Sequence, residues 1–84
     1  MENLKNLRNY IDALDGEIKQ LLIKRYEAVK KIGEIKKLNG LNVSDESRET
    51  VVLNNVTSGL SGDLRDGVYN VYQEIIKNSK NLQI

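Results

Sequence analysis

Along the first part of the chain, apolar side chains fall at Leu4, Leu7, Ile11, Leu14, Ile18, Leu21, Ala28, Ile32 and Ile35. The steps alternate between three and four with one gap, which is the stripe of an amphipathic helix. From Leu4 to about Lys36 there is no proline, and the glycines are Gly16 and Gly33. The pattern predicts one long helix over about 3–37. Asn39-Gly40 ends it, since glycine is the usual residue just past a helix C-terminus. A second helix is predicted over about 45–58, with Val52, Leu53 and Val56 on its apolar side. Ser44 can cap it, and Asp45 and Glu46 fall in the first turn, where the helix dipole favours acids. Gly59-Leu60-Ser61-Gly62 reads as a short loop. A third helix, about 62–82, carries Leu64, Val68, Val71, Tyr72, Ile75 and Ile76 on one face. Without repeats, low-complexity tracts or linkers, the 84 residues read as one all-α domain of three helices, one long and two shorter.

The first helix is too long for its own domain. About 33 residues at 1.5 Å each span roughly 50 Å. A compact chain of this size has a radius of gyration near 12 Å, so a diameter of about 30 Å. One end must overhang, yet the apolar stripe continues along most of it. A second chain packed on the overhang solves this and gives an intertwined homodimer bundle. A kink, for instance at Gly16, is the alternative.

Composition narrows the chemistry. The chain has no His, Cys, Pro, Trp or Phe. That excludes a disulfide framework, a zinc finger, a thiol nucleophile and a Ser-His-Asp triad. Thirteen basic against twelve acidic residues leave a net charge of +1, no argument for nucleic acid or an anionic membrane. The N-terminus lacks a basic segment followed by an apolar one, and no stretch approaches the roughly 18 apolar residues of a membrane span. A cytoplasmic protein without membrane contact is the expectation.

Polar residues on apolar faces are the informative positions. Leu4, Ile11, Ile18, Arg25 and Ile32 form a seven-residue series in which an arginine replaces an aliphatic side chain. A buried guanidinium needs anionic partners, although a snorkelling or structurally paired arginine would look the same. Lys36 shares its face, roughly 16 Å further along, and would also serve as a cation in the last turn. Arg8 is about 25 Å from Arg25 and turned by about 100°. Alone it is a solvated charge; in an antiparallel pair of first helices it approaches Arg25 of the other chain. Glu49 precedes Val52, Leu53 and Val56 by three, four and seven residues and so lies on the apolar side, where a carboxylate needs a donor or a cation. Asp45 and Arg48 are one turn apart and could simply pair on the surface. The third helix continues its face into Ser79 and Gln83, which fraying would also explain. Taken together, these residues suit a pocket for a small multiply charged anion that carries a hydroxyl.

In order along the chain, the residues resemble the all-helical, AroQ-type chorismate mutases. Leu7-Arg8-Asn9-Tyr10-Ile11-Asp12-Ala13-Leu14-Asp15 resembles the family's opening L-R-x-x-I-x-x-L-D. Leu21-Leu22-Ile23-Lys24-Arg25 resembles L-L-x-x-R, and Ile32-Gly33-Glu34-Ile35-Lys36 the hydrophobic-G-x-x-K that follows. Val43-Ser44-Asp45-Glu46-Ser47-Arg48-Glu49 resembles V-x-D-x-x-R-E. Ile75-Ile76-Lys77-Asn78-Ser79-Lys80-Asn81-Leu82-Gln83 resembles the closing I-I-x-x-S-x-x-x-Q.

The resemblance implies an interlocked dimer with two shared sites that converts chorismate to prephenate, in phenylalanine and tyrosine biosynthesis. That [3,3] rearrangement requires neither a nucleophile nor an obligatory proton transfer, and no metal or cofactor. It implies that Arg25, with Arg8 of the partner chain, clamps the two carboxylates. Lys36 would bond a carboxylate and the ether oxygen, and Gln83 would donate to that oxygen. Glu49 and the backbone around Asp45 would hold the ring hydroxyl. Arg48 would support that end of the site, and Ser79 would bond a carboxylate. Isochorismate-pyruvate lyase shares the fold and much of the pocket and stays open as an alternative, as does a non-catalytic helical dimer. Docking on another enzyme of that pathway also stays open.

Overall fold

In the computed structural model, which describes residues 2–84, the chain folds as three helices. They are α1 (Glu2–Leu38), α2 (Glu46–Thr57) and α3 (Gly62–Leu82). No strand occurs among the described residues, and none of the helices is long and apolar enough to cross a membrane.

The ends of α1 and α2 follow from local chemistry. Gly40 adopts a φ of 64°, a left-handed conformation that glycine reaches without strain. Leu41 N–H then bonds the Lys36 carbonyl at 2.8 Å, and Gly40 N–H bonds that of Lys37 at 3.4 Å. This pair of bonds closes the helix and turns the chain back, so that Val43 reaches the end of α1. Asp45, not Ser44, caps α2: its Oδ1 accepts from the Arg48 backbone N–H at 3.1 Å and from the Ser47 hydroxyl at 2.8 Å. Both residue types cap well, and the acid one position later satisfies an orphan N–H of the first turn. The expected surface pairing of Asp45 with Arg48 therefore takes the form of a carboxylate-to-backbone bond.

α3 lies in the middle and packs against both other helices. Its first half runs beside Ile18, Leu21, Leu22 and Arg25 of α1, and its end reaches Gly33, so α1 and α3 run in the same direction. α2 returns antiparallel to α3, with Glu49 beside Lys80 and Leu53 near Gln73 and Ile76. The buried apolar side chains among the described residues are Val29, Ile75 and Ile76. That is a small core for a chain of this length.

The overhang is as expected. α1 is unbroken across Gly16, and the chain measures 57 × 26 × 16 Å with a radius of gyration of 16.2 Å. The α1 residues that line the groove against α3 begin at Ile18, and the helix continues towards its N-terminus from there. The apolar stripe stays bare: Leu7 is 61% exposed, Ile11 53% and Leu21 65%. Between α1 and α3, an apolar groove of about 510 Å³ is lined by Ile18, Leu21, Leu22, Val68, Val71 and Ile75.

Candidate active site

A second cavity, of about 300 Å³, lies where all three helices meet. α1 lines it with Arg25, Val29, Ile32 and Lys36, which recur at steps of four, three and four. α2 and the turn before it supply Val43, Asp45, Arg48, Glu49 and Val52. α3 supplies Ile76, Ser79, Lys80 and Gln83. Residues far apart in sequence converge here because α3 ends against the last turns of α1 and α2 starts against the same end of α3. The larger apolar groove, by contrast, has Arg25 as its one charged lining residue, so polar groups do not converge there.

Seven of the eight residues expected in the site line this cavity: Arg25, Lys36, Asp45, Arg48, Glu49, Ser79 and Gln83. Arg8 does not; it is exposed on the overhang of α1.

Lys36 donates to the Val43 carbonyl at 2.8 Å and to Gln83 Oε1 at 2.8 Å. An ammonium can only donate, so the Gln83 amide must turn its oxygen to Lys36 and its nitrogen away. Gln83 Nε2 donates to the Ser79 carbonyl at 3.2 Å. An ammonium has three protons and an amide nitrogen two, so each group keeps one N–H without an acceptor among the described residues. Gly33 makes this pairing possible. A Cβ there would sit 2.8 Å from Gln83 Cα and 3.1 Å from its carbonyl oxygen, so the absent side chain lets α3 end directly on α1.

Arg25 donates from Nη1 to Ser79 Oγ at 2.7 Å and lies over the Tyr72 ring, 6.0 Å from its centroid. Ser79 in turn donates its own proton to the Ile75 carbonyl at 2.6 Å. Its hydroxyl is thus engaged on both sides. Ser79 holds the Arg25 guanidinium in place.

Glu49 Oε1 pairs with Lys80 Nζ at 3.0 Å, while Oε2 is buried with no donor among the described residues. Lys80 was not singled out from the sequence. It follows Ile76 by four residues and so lies on the buried side of α3, but a cation in a last helical turn has an ordinary explanation in the dipole. The Asp45 carboxyl is held below the usual aspartate range, chiefly by the Arg48 backbone N–H and then by the Ser47 hydroxyl. Burial opposes this, and the charges of Lys36 and Arg48 add smaller lowering effects.

Four cations and two acids therefore surround the cavity, a local excess of two positive charges on a nearly neutral chain. Residues 7–84 match the family described as Chorismate mutase type II. Among curated proteins, the chain is 40% identical over 73 residues to the T-protein of Haemophilus influenzae, covering 81% of this chain and 19% of that protein. It is 35% identical over 89 residues to the bifunctional chorismate mutase/prephenate dehydratase of Aquifex aeolicus, covering 99% of this chain and 24% of that one. The chain thus spans a quarter or less of the length of these relatives. The match over nearly its whole length shows that the chain belongs to the chorismate mutase type II family.

Proposed function

We propose that this chain converts chorismate to prephenate in the cavity at the junction of α1, α2 and α3, and that Arg8 of a second copy completes the site. The observation that carries the reading is the Lys36–Gln83 pair, two bonded groups that each keep one N–H without an acceptor among the described residues. In the rearrangement the ether C–O bond breaks while a C–C bond forms, and partial negative charge grows on the ether oxygen. Two fixed donors at that oxygen stabilise the transition state more than the ground state. They are held by the protein before reaction, so little reorganisation is needed.

The remaining residues bind and fold the substrate. Arg25, kept in place by Ser79 and Tyr72, presents its other N–H groups to a carboxylate in a planar fork. Lys36 and Arg48 add to the field that a dianion meets. Glu49 accepts from the ring hydroxyl. Confining the enolpyruvyl arm over the ring supplies the proximity that an intramolecular reaction needs.

The second copy rests on two features of α1. Its overhang leaves Leu7, Ile11 and Leu21 on water, and it carries Arg8 away from the cavity of its own chain. Two antiparallel first helices would cover the stripe and bring Arg8 of one chain to Arg25 of the other.

Chorismate consumption with identification of the product tests the proposal. Prephenate is expected. Salicylate with pyruvate from isochorismate would assign the lyase reaction instead. No turnover, with no thermal stabilisation by a dicarboxylate transition-state mimic, would refute an enzyme altogether. Lys36→Ala should lower kcat by about 10²–10³, the usual result of removing a donor to a developing oxyanion; a loss below tenfold would remove Lys36 from this role.

A further inference from the structure

The Lys80–Glu49 ion pair is unlike the other ion pair among the described residues. Arg65–Asp66 spans 3.5 Å between side chains 48% and 71% exposed, the kind of surface contact that contributes little. Lys80–Glu49 spans 3.0 Å between side chains 35% and 25% exposed, and it joins α3 to α2. Both residues line the site cavity, and both also line a neighbouring cavity of about 250 Å³ between α2 and α3. The pair belongs to the lining that the two share.

The two oxygens of Glu49 have different fates. Oε1 takes the ammonium; Oε2 is buried without a donor. A buried carboxylate oxygen without a partner is costly, so the arrangement persists only if something offsets it. The Lys80 charge on the same carboxylate does so. An unpaired carboxylate would set a free negative charge beside a dianion.

We infer that Lys80 is a positioning residue of the site: it fixes the Glu49 carboxylate, balances its charge, and so sets the geometry in which Glu49 receives the hydroxyl of the substrate. This rests on the mutase reading above, in which Glu49 receives that hydroxyl. Lys80 acts through Glu49 and does not touch the substrate.

A double-mutant cycle on the full chain, read as kcat/KM for chorismate, tests this. Lys80→Gln should lose about tenfold, the scale of one charge-assisted hydrogen bond. Lys80→Arg, which keeps the ion pair, should stay within threefold of the wild type. In a Glu49→Gln background, Lys80→Gln should change kcat/KM by less than twofold, because its route to the substrate has gone. Melting curves of each variant show that folding is retained. A tenfold loss that persists in the Glu49→Gln background would overturn the inference, because Lys80 would then be acting on the substrate directly. Lys80→Gln at wild-type activity would overturn it too and leave the pair purely structural. Both results leave the mutase reading intact, whereas a wild-type chain that leaves chorismate unchanged would remove both.

Discussion

Gly33→Ala separates the geometry of the site from the stability of the fold. The added Cβ would lie 2.8 Å from Gln83 Cα, 3.1 Å from its Cβ and 3.1 Å from its carbonyl oxygen. Carbon atoms in contact prefer about 3.5–4.0 Å, so the end of α3 must retreat by roughly 0.7–1.2 Å. These atoms are mostly backbone, and no side chain can swing aside to relieve the contact. The Lys36–Gln83 bond is 2.8 Å long. A retreat of that size stretches it past the range of a hydrogen bond. The Gln83 amide then turns freely, and its spare N–H is no longer held in one position relative to Lys36. A misplacement of about 1 Å in a site of this kind costs on the order of 10²-fold in rate.

Stability should respond much less. Alanine is better than glycine inside a helix by about 0.5–1 kcal/mol. Overpacking typically costs about 1–3 kcal/mol, at the low end where the neighbour can peel away, as a last helical turn can. The two effects largely cancel. Gly33→Ala should therefore melt near the wild-type temperature yet lose about a hundredfold in kcat, with KM for chorismate little changed, because the lost contact acts in the transition state. Chorismate turnover with a thermal melt on the same preparation measures both. A kcat within threefold of the wild type would show that the close approach of Gln83 to α1 does not set the catalytic geometry.

Gln83→Glu should make activity rise as pH falls: a carboxylate cannot donate to the ether oxygen, and Lys36 beside it favours the ionised form, so equal kcat at pH 5 and pH 8 would remove Gln83 from its role. Chains carrying Arg8→Ala, mixed with chains carrying Arg25→Ala, should regain activity, since each mixed dimer keeps one intact shared site; no recovery after verified exchange would contradict sharing. Asp45 has a lowered pKa, so its stabilisation of α2 is present above the unfolded value of about 3.9 and is lost as pH falls through the lower folded value. The melting difference between the wild type and Asp45→Ala should therefore shrink below about pH 4, and a difference that stays constant down to pH 2 would contradict the capping role.

The long-range shape was legible because a helix has a fixed rise. The apolar steps of α1 extend beyond what an 84-residue globule can cover, and the elongated chain with bare Leu7, Ile11 and Leu21 is the result. Arg25 and Lys36 were legible for the same reason, as polar members of one helical face. Contacts between helices were less so. That Gly33 is pressed against Gln83 depends on where α3 ends relative to α1, and no local pattern records it. Ser79 stood out as a hydroxyl on an apolar face, but its two bonds, to Arg25 and to Ile75, are a property of the packed structure. Lys80 was passed over because a last-turn cation has a sufficient local cause, and its partner Glu49 lies on another helix.

The shortage of core and the missing arginine have the same remedy in the proposed dimer. With Val29, Ile75 and Ile76 as the buried apolar side chains among the described residues, the single chain has little to hold it. Each large apolar side chain brought from water into an interface contributes about 1.5–3 kcal/mol, and Leu7, Ile11, Ile18, Leu21 and Val71 are all exposed. Most of these lie on the stretch of α1 that also carries Arg8 and Arg25. If antiparallel first helices bring Arg8 of each chain to Arg25 of the other, the twofold axis must pass midway between them, at the level of Gly16 and Glu17. Leu14 and Ile18, the stripe residues on either side of that level, then sit at the centre of the interface. The register that buries the stripe is thereby the register that places the arginines. Folding, association and completion of the two sites would be one thermodynamic event, and thermal stability should rise with protein concentration in parallel with the fraction of active sites.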